Sequence, residues 1–182
     1  MKLSGARPGD HVLDVGCGPG SLALALKASI GPVGSIHGVD ASPEMIERAR
    51  RNAVKAGKDV DFRVGLAEAL PFPEKSFNLV VSQLVMHHLP GDLKTRVFRE
   101  MARVVKPQGR CLIVDFEPPK SKLLRSLLRL VDGHGMMETD VRGYGAMMEE
   151  AGFTEIEAGP TRHPMLAFIR GEIPATHHNA DQ

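Results

Sequence analysis

Val12-Leu13-Asp14-Val15-Gly16-Cys17-Gly18-Pro19-Gly20-Ser21 sets three apolar residues and one acid against three alternating glycines. Leu22, Ala23, Leu24, Ala25 and Leu26 follow, so the pattern reads as a buried strand, a tight turn and the start of a helix. Glycine at every second position lets the backbone take dihedrals barred to other residues, and lets a ligand approach without meeting a β-carbon. The stretch therefore predicts a cofactor cradle.

Two cofactor classes use such a turn. The dinucleotide fingerprint, Gly-x-Gly-x-x-Gly, aims helix N–H groups at a pyrophosphate. Here the spacing is Gly16-x-Gly18-x-Gly20, and Asp14 stands before it. A carboxylate there repels a pyrophosphate but suits an ammonium group, directly or through water. The pattern favours a cofactor carrying an amino acid and disfavours a nicotinamide oxidoreductase.

An acid followed by Gly-x-Gly-x-Gly resembles the first motif of the class I S-adenosylmethionine-dependent methyltransferases, and the nearest likeness is to the quinone-biosynthesis type and its small-molecule relatives. The resemblance implies an α/β fold: a Rossmann-like doubly wound sheet, mostly parallel with an antiparallel last strand, and helices on both faces. It implies S-adenosyl-L-methionine as cofactor, S-adenosyl-L-homocysteine as product, a small-molecule acceptor and no metal. Asp14, Gly16, Cys17, Gly18 and Gly20 then belong to the cofactor site. A helix or two normally precedes this turn, whereas ten residues precede His11 here, so the N-terminal cap is expected to be short or absent. That keeps open an alternative, a catalytically inactive cofactor-binding module or partner subunit.

At 182 residues the chain is long enough for one well-buried domain, 1–182, and short for two. A net charge of +1 with mixed signs gives no basic field, so no nucleic-acid partner is expected and an RNA methyltransferase is disfavoured. Two cysteines, Cys17 and Cys111, are too few for a disulfide framework and fit a reducing cytoplasm. No segment reaches the ~20 apolar residues of a membrane span.

Downstream, Ile36-His37-Gly38-Val39-Asp40 reads as the second strand. Asp40 lies 20 residues beyond Gly20, where nucleotide-binding α/β units place an acid for ribose hydroxyls, with Ala41 beside it. Ser42-Pro43-Glu44 begins a helix that Gly57 ends. After a third strand, Val60–Val64, comes Gly65-Leu66-Ala67-Glu68-Ala69-Leu70-Pro71-Phe72. The resembled family often has an acid where Leu66 stands, accepting from the adenine amino group, with a backbone N–H near Ala67 meeting a ring nitrogen. The acid is missing here, leaving adenine to apolar packing and main chain.

Ser76–Ser82 reads as the fourth strand, with Asn78 where the family usually has aspartate. In an open parallel sheet the ligand sits where strand order reverses, between strands one and four. Ser82, Gln83 and the residues through His88 are thus expected to line the cofactor and acceptor pocket. Two adjacent histidines cannot face the same way. One of His87 and His88 is the candidate base that takes an acceptor proton, with His87 preferred.

Leu93–Val105 reads as a helix, Lys106-Pro107-Gln108-Gly109 as a turn and Arg110–Asp115 as the fifth strand, after which Asp115 and Glu117 are candidates to bind substrate. Lys120–Val131 is amphipathic, with leucines on one face and cations on the other, which keeps peripheral contact with a membrane surface open. Gly133–Met137 reads as a loop with adaptable apolar side chains. Gly143–Ala151 reads as a last helix, followed by strands at Phe153–Ala158 and His163–Ile169. Residues 171–182, including His177-His178, are expected to form a disordered tail.

Overall fold

The first strand, β1 (His11–Val15), has one exposed residue followed by four buried ones, the pattern of a strand covered on both faces. In the computed structural model, which describes residues 2–117 and 140–175, β1 leads through the glycine turn into α1 (Ser21–Ile30). β2 (Ser35–Asp40), α2 (Pro43–Ala56), β3 (Asp61–Val64), β4 (Phe77–Gln83), α3 (Gly91–Val104) and β5 (Val105–Phe116) follow. After residues 118–139 come α4 (Gly145–Glu150), β6 (Thr154–Pro160) and β7 (Leu166–Glu172). The expected amphipathic helix over Lys120–Val131, the loop Gly133–Met137 and the pair His177-His178 lie outside the described residues.

The sheet order is β3-β2-β1-β4-β5-β7-β6. Neighbours from β3 through β5 run parallel, and β7 alone runs against both of its neighbours. This is the expected doubly wound sheet with its reversed last strand. Order reverses between β1 and β4, so their carboxyl ends open a crevice.

Strand alternation divides the core into two layers. Val12, Leu79, Val81 and Leu112 face the layer that holds Ala23 and Leu26 of α1 and Ile46 and Ala49 of α2. Leu13, Val15, Val80, Cys111 and Ile113 face the other, with Val97, Phe98 and Met101 of α3 and Met148 of α4. Asp14 falls on the α1 side by the same alternation. α2 begins as read: the Ser42 hydroxyl accepts from Met45 N at 3.2 Å, Pro43 takes the first turn, and Gly57 ends it in the left-handed region. Among the described residues no helix is long and apolar enough to cross a membrane.

Four boundaries differ from the sequence reading. Lys106–Gly109 is not a turn before the fifth strand but part of β5, which absorbs it as an irregularity between the pairs Phe77↔Val105 and Leu79↔Arg110. The last helix is shorter, because Val141–Tyr144 winds as a 3-10 turn ahead of α4. β7 starts at Leu166 and runs to Glu172, and Ile173 exchanges backbone hydrogen bonds with Gln108 and Gly109. Residues 171–173 are therefore sheet and not tail, because the long β5 offers them a partner. Asn78 uses its Oδ1 to accept from His11 N at 3.0 Å, tying β4 to the start of β1.

Gly38 shows how tightly the layers meet. It pairs with Asp14 across the strands, and a β-carbon there would stand 2.6 Å from the Phe62 ring and 3.0 Å from Cys17 Sγ. Phe62 is buried and Cys17 belongs to the glycine turn, so neither has room to retreat. Gly38→Ala is expected to lower unfolding stability by about 1–3 kcal/mol, the usual cost of overpacking. Urea melts with an unchanged midpoint would show that the Phe62 ring swings aside.

Candidate cofactor and active site

Asp14 is the residue from which the site is built. It is 1 % exposed, and its Oδ2 accepts from Ala23 N at 3.1 Å, satisfying one of the free donors of the first turn of α1. Its Oδ1 has no hydrogen-bond partner among the described residues. Burial, followed by the nearby Asp40 charge, outweighs the Ala23 bond and pushes the Asp14 carboxyl up to about 7. A buried acceptor left open on a cavity wall is a place for a ligand's donor.

The glycine turn is fastened to β2 rather than aimed outward. Gly16 N and Cys17 N both donate to Val39 O, at 2.7 and 3.0 Å, and Gly20 N donates to Cys17 O at 2.9 Å. Gly18 N donates to Asp40 Oδ2 at 2.8 Å, while Asp40 Oδ1 accepts from Ser42 N at 2.9 Å. The N–H groups of the turn itself, from Gly16 to Gly20, are thus already used within the protein. Gly18, which lines a cavity, has φ +51°, and nothing stands within 4 Å of a β-carbon placed on it.

That cavity, of about 660 Å³, lies over the carboxyl ends of β1, β2 and β4. Asp14, Gly16, Cys17, Gly18, Asp40, Ala41, Leu66, Ala67 and Gln83, all expected from the sequence, line it. Asp14, Asp40 and Glu68 are its charged walls, with no Lys or Arg among the described lining residues. This is a field for a cation. Val85, Leu89 and Leu93 add an apolar wall beside His88.

Three expected residues sit elsewhere. Gly20 is off the cavity: a β-carbon there would meet the Phe62 ring at 2.6 Å and Ala49 at 3.1 Å, so it serves the close packing of the turn on α2 and β3. Ser82 is 1 % exposed, its Oγ has no partner among the described residues, and it lines a neighbouring apolar groove instead. Successive β4 side chains point to opposite faces, so Gln83 takes the cavity and Ser82 turns from it.

His87 is the third. Its ring is 4 % exposed, and Nδ1 lies 2.8 Å from Asp115 Oδ1. Asp115, fully buried, also accepts from His87 N at 3.0 Å and Phe116 N at 2.8 Å, so it holds the chain after β4 and is not open to substrate. Glu117 pairs with Arg142 at 2.7 Å. His88, not His87, lines the cavity, its ring centroid 3.8 Å from that of His87 with the two planes tilted by 45°. Leu84, inside the stretch expected to line the pocket, does so at φ +58° with its N–H bonded to Val114 O at 2.9 Å; that left-handed turn is the part no residue type signals.

A family profile described as a methyltransferase domain matches residues 12–109. The chain is 37 % identical to the arsenite methyltransferase of Halobacterium salinarum over 84 % of this chain and 39 % of that protein. It is 39 % identical to the demethylmenaquinone methyltransferase of Symbiobacterium thermophilum over 65 % of this chain and 47 % of that one. Against the ubiquinone/menaquinone biosynthesis C-methyltransferase of Pseudomonas aeruginosa identity is 31 %, over 96 % and 77 % of the two chains. The chain spans about half the length of most of these relatives. Among solved structures, a SAM-dependent methyltransferase from Aquifex aeolicus shares the fold, with a TM-score of 0.75 at 23 % identity over 94 % of this chain and 86 % of that one. With the acid-walled cavity over its glycine turn, the chain belongs to the S-adenosylmethionine-dependent methyltransferases.

Proposed function

We propose that this chain transfers a methyl group from S-adenosylmethionine to a small apolar or aromatic acceptor, in the manner its relatives' names give for quinone precursors. The carrying observation is the cavity's charge. Asp14, Asp40 and Glu68 face a ligand whose sulfonium and ammonium are both positive, and nothing basic among the described lining residues awaits a phosphate. When bound, S-adenosylmethionine supplies a methyl group already activated by its sulfonium charge. Asp14 Oδ1 holds the ammonium, Asp40 the ribose hydroxyls, and the apolar wall of Val85, Leu89 and Leu93 packs the acceptor and excludes water. The same contents favour a carbon, oxygen or nitrogen acceptor over arsenite. A thiophilic acceptor needs thiolates, and both cysteines are held as thiols, with burial pushing the Cys111 thiol up to about 12 and raising that of Cys17, the one that lines the cavity. Two free cysteines suit a reducing cytoplasm.

Isothermal calorimetry with S-adenosylhomocysteine tests the reading directly. The wild-type chain is expected to bind it, and Gly18→Val to lose binding while the sheet stays folded, because the side chain projects into the cavity. Binding by the valine variant at wild-type affinity would place the ligand elsewhere.

Asp14 makes the affinity depend on pH. Its carboxyl lies near 7 in the folded protein against 3.8 ordinarily, so below 7 the ligand's ammonium must displace a proton. Affinity for S-adenosylhomocysteine should fall as pH drops from 7 to 5.5, by up to about tenfold per unit. The unliganded protein shows the opposite trend in this group's contribution to stability, which is largest below the unfolded value and declines as pH rises toward 7. Asp14→Asn should flatten the binding profile, and 5′-methylthioadenosine, which lacks the ammonium, should show none of this loss. A sloping profile for the asparagine variant would assign the titration to another group.

The histidines divide the remaining work. In this reading His88, which lines the cavity, takes a proton from the acceptor, and His87, paired with Asp115, holds the turn that presents it. His88→Ala should cut turnover ~10²-fold with little change in cofactor affinity. His87→Ala leaves the Asp115 carboxylate buried without its ring partner and should cost about 3–5 kcal/mol of stability. Turnover and melting measurements showing the reverse assignment would make His87 the base.

A further inference from the structure

The stretch Gly65–Ala69 follows β3, and its residues Gly65, Leu66, Ala67 and Glu68 line the cavity that Asp14 also lines. The ribose acid Asp40 ends the intervening strand β2, so a nucleoside lying along the strand ends places its base at this stretch. One foot of the stretch is Gly65 N, which donates to Asp40 O at 3.1 Å. Between the feet, Leu66 is half exposed, and Ala69 N reaches back to Leu66 O at 3.2 Å. The stretch is an arch whose shape depends on where its second foot stands.

That foot is held by two side chains of α3. Glu100 Oε2 accepts from Leu70 N at 2.8 Å. Arg103 donates from Nη2 to Leu70 O at 3.1 Å and from Nη1 to Phe72 O at 2.9 Å. The two side chains lock each other through a forked pair, Nε to Oε1 and Nη2 to Oε2, each 2.7 Å. The Arg103 bond, ahead of the Leu70 N–H, keeps the Glu100 carboxyl below its ordinary range, so both stay charged. Neither side chain lines the cavity. A planar fork fixes direction as well as distance, which a lysine ammonium does not.

We propose that Glu100 and Arg103 are positioning residues that set the arch Gly65–Ala69 against the ligand's base and so fix the preference for adenine. The proposal rests on the cofactor reading above. Holding both ends of the arch keeps its main-chain groups in the register that a 6-amino edge requires. An arch with one loose foot adapts equally to a 6-oxo edge, and selectivity falls before folding does.

The test is calorimetry of 5′-methylthioadenosine and 5′-methylthioinosine, which differ only at that edge, with melting curves for every variant. Wild type should bind the adenine compound more tightly, and Arg103→Lys should shrink the ratio of the two affinities by about tenfold, mainly by weakening the adenine compound. Glu100→Gln keeps the side chain's shape and should move the ratio in the same direction if the lysine variant fails to fold. Arg99→Lys, which alters an exposed pair with Glu150 on the same helix, should leave the ratio unchanged. Failure of the wild type to bind either nucleoside or S-adenosylhomocysteine would defeat the cofactor reading itself. Binding with no wild-type preference, or equal weakening of both compounds by Arg103→Lys, would overturn this proposal alone and reduce the pair to general support.

Discussion

One hydrogen bond, from Ala23 N to Asp14 Oδ2, links the sheet to its first helix and decides what the neighbouring oxygen is free to do. A carboxylate at a strand end normally turns to solvent. This one is drawn under the first turn of α1, where the helix dipole and an unsatisfied N–H favour negative charge. The geometry leaves Oδ1 buried without a partner among the described residues, on a residue that lines the cavity. The glycine turn beside it is held by the N–H groups of Gly16 and Cys17 on Val39 O and by that of Gly18 on the Asp40 carboxylate.

Burial first, and then repulsion from the Asp40 charge, raises the Asp14 carboxyl, so a negative charge there is disfavoured in the empty cavity. A cationic ligand relieves that repulsion, so part of the binding free energy is tension already present in the protein. Selection by charge operates before any contact with the acceptor: a pyrophosphate meets Asp14, Asp40 and Glu68 and finds the turn's N–H groups already occupied.

The parts of this site legible in the sequence are those whose geometry is local. The strand, turn and helix around Asp14 are contiguous, and the spacing to Asp40 follows from the length of one helix and one strand. Gly20 reads as a third cofactor glycine, yet its neighbour Phe62 comes from a strand two places away in the sheet, which no periodicity reveals. His87 and His88 are chemically identical in sequence. Their separation depends on Asp115, which arrives from β5 and claims one ring. Ser82 and Gln83 are sorted by strand pleat at a position where a register error of one residue exchanges them. The irregularity in β5 was hidden because Lys-Pro-Gln-Gly has the composition of a turn, whereas in the fold it is held on both sides by β4 and Ile173.

The order β3-β2-β1-β4-β5-β7-β6 also governs how the protein emerges from the ribosome. β1, β2 and β3 pair through local crossovers and can assemble early, carrying the glycine turn and Asp40 with them. The central edge of β1, meanwhile, stays open until β4 arrives, since Leu13 pairs with Val80. Long-range parallel pairing of this kind is slow, and an open apolar edge is adhesive while it waits. Early nucleoside capture by the nascent half-sheet would rigidify the turn without closing that edge. Docking of β4 closes the edge of β1 but passes the exposed edge on to β4 itself, which is covered only when β5 pairs with it, well after the cofactor-binding motif has been translated.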